Sequence, residues 1–185
     1  FQDNDLKKTG ILISLFMGLR LGEVCALKKR NILREEEILC VRSTMQRIQD
    51  PSQPSGHKTK VIVTPPKSRS AVRDIPIPEF MLKRFGPIDG MSDDAYILTG
   101  SEEKFIEPRT LENVFKRCLK KCSMPEVNYH VLRHTFATRC IEAGIDAKSL
   151  SEILGHANVN ITLNQYVHSS MEQKRENMKK LMAGA

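Results

Sequence analysis

The stretch HVLRHTFATRC, residues 130–140, decides how the rest of the chain is read. Its apolar residues follow an ordinary helical pattern, yet His130, Arg133 and His134 crowd into little more than one turn. Residues i and i+3 share a helix face, so His130 and Arg133 can address one target together. Arginine offers only donors, so that target is anionic.

The bulk composition suits such a target. The chain has 185 residues, enough for a real core, and its 29 Lys plus Arg outnumber 22 Asp plus Glu. The resulting +7 charge and pI near 9.2 favour a polyanionic partner. Hydrophobic content of 40% and charged content of 28% describe a soluble globular protein. No apolar run approaches the ~20 residues that span a bilayer, so no membrane partner is expected. The five cysteines (Cys25, Cys40, Cys118, Cys122 and Cys140) show no CxxC spacing and read as reduced thiols in a cytoplasmic protein. With no Trp and three Tyr, stacking on many bases is not the expected binding mode.

Outward from residues 130–140, the N-terminal third reads as a helix, a break near Gly18–Gly22, and a second helix with Lys28 and Lys29 in its last turn. Strands are expected over about 37–48, over 60–64, and in AVRDIPIP (71–78), making a small three-stranded antiparallel sheet. QDPSQPSGH (49–57) and PPKSRS (65–70) are turns by composition. PRTLENVFKRCLKKC (108–122) carries an apolar stripe of 3.6-residue period at Leu111, Val114, Phe115, Cys118, Leu119 and Cys122. Asn128 is the expected cap of the helix carrying Arg133, which Gly144 ends. Asp146 caps the next, closed by Gly155, and a short helix from about Val159 places Tyr166 near its end. Met171, Met178, Leu181 and Met182 suggest a separate amphipathic tail helix.

GLRLGE (18–23), PPKSRSAVRDIPI (65–77), HVLRH (130–134) and LGHANVNITLNQY (154–166), in that order, resemble the catalytic domain of the tyrosine recombinases, the phage-integrase family. HxxR alone is weak; followed by LGH and TLNxY, with GLRxxE upstream, it is specific. The resemblance covers essentially the whole chain. It implies a mixed α/β, mainly α-helical fold and DNA strand exchange through a 3′-phosphotyrosyl bond, without metal or other cofactor.

The resemblance also implies roles. Arg20 and Arg133 match the family's two arginines, whose planar guanidiniums can clamp the non-bridging oxygens of a phosphodiester. Tyr166 matches the nucleophile. A free phenol titrates near ~10, so it needs a base or a strong field to attack at neutral pH. His130 matches the general base or a phosphate donor, and His156 a second histidine that donates to a non-bridging oxygen. Lys67 stands where the family places the general acid for the leaving 5′-oxygen. Glu23 matches an acidic position that orients the cluster. Lys60, Arg69 and Arg73, around the same turn, read as DNA-binding cations, with support of the sheet or a phosphate as the second reading for Arg73. His134 reads as a hydrogen-bonded packing residue, Tyr129 as packing, His57 as solvent-exposed and His168 as local structure.

By the same resemblance, residues 1–168 form the catalytic domain and 169–185 a tail helix packing in cis or in trans. The family's N-terminal DNA-binding domain is absent from this chain. The implied partners are double-stranded DNA, further copies in a homo-oligomeric tetramer and accessory DNA-bending proteins, at the nucleoid. Two rivals stand beside it: supercoil relaxation of the type IB topoisomerase kind, and a non-catalytic DNA-binding module.

Overall fold

Asp5 opens the first helix, α1 (Leu6–Met17), by accepting a hydrogen bond from the Lys7 N–H at 3.2 Å. The helix ends at Gly18, whose φ of 70° is left-handed. A Cβ there would stand 2.5 Å from Phe136 Cδ1, so both conformation and space require glycine. This turn throws the chain into α2 (Leu21–Ala26), with Arg20 at its N-cap and Glu23 in its first turn. The computed structural model describes residues 5–50, 59–66, 68–166 and 175. Lys67, His57, His168 and the tail helix expected over 169–185, save Arg175, lie outside the described residues.

The helix α2 is shorter than its sequence pattern implies. Leu27 is extended, its carbonyl accepts from Ile97 N–H at 3.1 Å, and Lys29 N–H donates to Ala95 O at 2.9 Å. Lys28 and Lys29 are thereby drawn off the helix by pairing with a distant segment. Past them run the short strand β1 (Ile32–Leu33), β2 (Ile38–Val41), β3 (Thr44–Gln49), β4 (Thr59–Thr64) and β5 (Arg73–Pro76).

A three-stranded antiparallel sheet is present, but with different members from those expected: its order is β1-β2-β5. The stretch 37–48 is not one strand. It breaks at Arg42 and Ser43, where the Arg42 guanidinium bonds Arg73 O and Asp74. Residues beyond the break pair with β4 in a separate hairpin, Met45 opposite Val63.

The remainder is helical: α3 (Glu79–Arg84), α4 (Pro108–Lys121), α5 (Val131–Glu142), α6 (Ala147–Leu154) and α7 (Val159–Tyr166). α4 buries Leu111, Val114, Phe115 and Leu119, the expected stripe, while Cys122 is exposed beyond its end. Asn128 is not the cap of α5: that position is His130, and the Asn128 carbonyl instead accepts from Val131 N–H at 3.2 Å. Asp146 caps α6 through the Lys148 and Ser149 N–H groups, and Gly155 closes it with φ 66°. A second small core of Ala137, Cys140, Leu150 and Leu154 carries Phe136, Ile141 and Tyr166 against it. No helix among the described residues is long and apolar enough to cross a membrane.

Tyr129 links α1 to α4 and α5. Its ring meets Phe115 edge-on at 5.4 Å, and its hydroxyl lies 3.0 Å from Ser14 Oγ and donates to Gly10 O at 3.3 Å. Burial pushes its phenol well above the usual range, so it is no nucleophile. Tyr129→Phe leaves fully buried Ser14 short of a partner and should cost about 1–3 kcal/mol in urea unfolding. An unchanged midpoint and slope would mean that these hydrogen bonds contribute nothing.

Candidate active site

Glu23 sits 2% exposed beneath a cleft of about 240 Å³ lined by Arg20, Thr44, Pro66, Ser68, Ala71 and Gly155. A carboxylate so buried must be fully bonded to stay charged. Its oxygens accept from the Arg20 N–H (2.8 Å) and Nη1 (2.9 Å), and from Arg73 Nη1 (3.0 Å) and Nη2 (2.9 Å). Burial pushes its pKa up, but the Arg73 and Arg20 bonds outweigh that and hold it below the ordinary carboxylate value.

Arg73 is therefore not a DNA-binding cation. It is 8% exposed, and besides Glu23 its guanidinium bonds the carbonyls of Ala71 and Ile153. It ties β5, α2 and α6 together under the cleft. Gly155 must be glycine here as well, since a Cβ would stand 3.0 Å from Arg73 Cδ and from Ser70 O.

Arg133 is 2% exposed, the largest of the fully buried side chains. Nη1 donates to Gly18 O at 2.8 Å and Nη2 to Leu154 O at 2.7 Å. These carbonyls close α1 and α6, so two helix C-termini turn their negative ends toward one guanidinium. Burial, with Arg20 and Arg73 nearby, pushes its pKa down to about 9, which leaves it a cation at neutral pH. Arg20, at 38% side-chain exposure, keeps an open edge toward the cleft.

The histidines follow from the helix ends. His156 comes directly after Gly155, and its Nδ1 lies 2.8 Å from the fully buried Thr162 Oγ1 on α7. Burial, then Arg133, Arg20 and Arg73, push its pKa down to about 4. The Thr162 hydroxyl fixes the orientation of the neutral ring through this bond. His130 is exposed and meets His134 edge-on at 4.6 Å. Burial lowers its pKa too, followed by His134, Arg133 and Arg20, so it stays neutral and able to accept a proton.

Tyr166 packs its ring on the second core and presents its hydroxyl 2.9 Å from His134 Nδ1. Its phenol is raised by burial against the lowering pull of Arg133 and Arg20. His134 is thus hydrogen-bonded, as its sequence reading held, and its partner is the tyrosine. His130 and His134 stand at i and i+4, which brings their rings together but does not mark the tyrosine.

Arg20, Glu23, Arg133, His130, His156 and Tyr166 are thereby gathered about the ends of α1, α5, α6 and α7. Lys67 lies outside the described residues, between the cleft-lining Pro66 and Ser68. Lys60 is exposed and paired with Asp50 at 3.3 Å, and Arg69 is exposed on the turn Arg69–Ala71. Among the described residues no group of three or more His, Cys, Asp or Glu could hold a metal ion.

The phage integrase family model matches residues 5–173, and the chain belongs to that family. It is 28% identical to the XerC-like tyrosine recombinase of Caldanaerobacter subterraneus subsp. tengcongensis, over 94% of this chain and 51% of that protein. It is equally 28% identical to the transposase of transposon Tn916 from Enterococcus faecalis, over 92% of this chain and 44% of that protein. Among solved structures, the Tn1549 transposon integrase in complex with transposon right end DNA matches with a TM-score of 0.76 at 26% identity, over 94% of this chain and 58% of that one. XerA recombinase matches at 0.61 and 25%, over 95% of this chain and 62% of that one. The mixed α/β, mainly helical fold with its small antiparallel sheet is that of the tyrosine-recombinase catalytic domain. The chain spans about half the length of the curated relatives it matches.

Glu23→Gln strands Arg73 as a buried cation and should cost about 3–5 kcal/mol of unfolding free energy near pH 7. Because the folded pKa of Glu23 lies below the ordinary 4.5, its contribution is complete above 4.5 and is lost as pH falls through the lowered value. The variant's deficit should therefore shrink only in strong acid; a deficit equal at all pH would contradict the ion-pair account. For His156, NMR titration should find the imidazole protonating near pH 4. Because the unfolded chain takes up that proton near 6.5, His156 withdraws stability as pH falls from 6.5 toward 4. A midpoint near 6.5 would mean that the arginines do not face it.

Proposed function

We propose that this chain is the catalytic part of a site-specific DNA recombinase or integrase that cuts and rejoins double-stranded DNA through a 3′-phosphotyrosyl intermediate. The observation that carries this reading is that the charges of Arg20 and Arg133 act on both His156 and the Tyr166 phenol. Phosphoryl transfer needs little from a protein beyond positioning and charge stabilisation, which two guanidiniums and an imidazole N–H supply. The net charge of +7 and the DNA-bound state of the Tn1549 integrase support DNA as the substrate.

In this reading Tyr166 Oη attacks the phosphorus in line, Arg20 and Arg133 take up the charge growing on the non-bridging oxygens, and His156 Nε2–H donates to one of them. His130 stands beside the phosphate as donor or base. Lys67 protonates the departing 5′-oxygen, an assignment supported by the cleft-lining residues on either side of it. The phosphotyrosyl bond conserves the energy of the broken one, so rejoining to a new 5′-hydroxyl needs no nucleotide cofactor. Glu23 and Arg73 hold Arg20 in place, while Lys60 and Arg69 offer exposed charge to the backbone.

We further propose that residues 1–168 form the catalytic unit, that 169–185 bridge to another copy in a tetramer on DNA, and that accessory DNA-bending proteins assist it at the nucleoid. Incubation with nicked suicide duplexes, without metal or ATP, should yield a protease-sensitive covalent band. Tyr166→Phe should abolish that band while DNA binding, weak and steeply salt-dependent, persists. A band retained by Tyr166→Phe would overturn the assignment.

A further inference from the structure

Tyr166 Oη has one hydrogen-bonding side chain beside it among the described residues, and that side chain is His134, not His130. We infer that His134 Nδ1 both aims the Tyr166 hydroxyl and takes its proton as the phenol attacks phosphorus; this rests on the reading of Tyr166 as the nucleophile.

The separation of 2.9 Å falls in the range a general base needs. A phenol has one hydrogen to give, and an imidazole nitrogen without hydrogen is its natural acceptor. The pair is held from both sides. His134 follows Arg133, which is fastened to the Gly18 and Leu154 carbonyls, and its own N–H donates to His130 O at 3.2 Å. Its ring meets His130 edge-on at 4.6 Å and Tyr166, tilted, at 5.6 Å. Tyr166 in turn packs on Ala137, Cys140, Leu150 and Leu154, so neither ring swings freely. His130, by contrast, makes no hydrogen bond to Tyr166 among the described residues.

The step balances without any further reagent. The Tyr166 Oη–P bond forms as the P–O5′ bond breaks; the phenolic proton passes to His134 Nδ1, and the 5′-oxygen takes its proton from the general acid. On rejoining, the 5′-hydroxyl attacks, Tyr166 leaves, and His134 returns the proton.

The test compares single-turnover cleavage of nicked suicide duplexes by the unaltered chain, His134→Ala and His134→Asn, with DNA affinity measured alongside. His134→Ala should lose about 10²–10⁴-fold in cleavage rate at unchanged affinity. His134→Asn places an amide oxygen where Nδ1 accepts, so it should recover aim but not basicity and fall between the two. A fluorinated tyrosine of more acidic phenol at position 166 should relieve the defect of either variant. A 5′-bridging phosphorothiolate, which needs no acid for departure, should not relieve it. Cleavage by His134→Asn at the unaltered rate would overturn proton acceptance, as would full rescue by the phosphorothiolate or no response to fluorination. If His134→Ala fails to fold, the His134→Asn comparison and the fluorinated phenol still decide. If the unaltered chain forms no adduct at all, the nucleophile reading fails and this inference with it.

Discussion

Glu23 is the constraint around which the site is arranged. Three guanidiniums, those of Arg20, Arg73 and Arg133, are brought together, and Arg133 feels the other two as like charges. A single buried carboxylate offsets two of them through four hydrogen bonds, and the carbonyl ends of two helices hold the third. The compensation is incomplete by construction. One carboxylate cannot neutralise three cations, so the cleft stays electropositive until an anion enters. A phosphate is the natural complement, since its two non-bridging oxygens accept what the guanidiniums still have to donate.

The same arrangement explains why loops at helix ends, rather than helix faces, build the site. Gly18 and Gly155 are both left-handed, and each brings backbone to within contact of another element, Phe136 in one case and Ser70 with Arg73 in the other. Their turns deliver Arg20 and His156 and expose the Gly18 and Leu154 carbonyls that grip Arg133. Loss of either turn would move a reacting group and remove its support together. Thr162 plays a smaller part of the same kind, coupling α7, and hence Tyr166, to the His156 ring.

Much of this was legible in the residues. The motif order singled out Arg20, Arg133, His156 and Tyr166, and the capping signals at Asp146 and Gly155 marked helix ends correctly. Strand membership was not legible. Leu39, Val41 and Met45 keep one alternation phase, so nothing in the pattern marks the break at Arg42 and Ser43 that divides two sheets. The end of α2 was hidden for a related reason, because pairing with residues 95–97 overrides a favourable local helix. Arg73 carried a signal for its sheet-supporting reading over its DNA-binding one. It is in phase with Ile75 and Ile77 on the inward face of its strand, where a cation must have a buried partner. His134 was recognised as hydrogen-bonded but not by what, since its partner lies 32 residues further along the chain.

The central claim is that this electropositive cleft serves one tyrosine. The most direct measurement is mass spectrometry of the covalent protein–DNA adduct after exhaustive nuclease and protease digestion. The account predicts a peptide containing Tyr166 and bearing a nucleotide joined through its 3′-phosphate. Attachment at Tyr96, Tyr129 or a serine, or linkage through a 5′-phosphate, would contradict it.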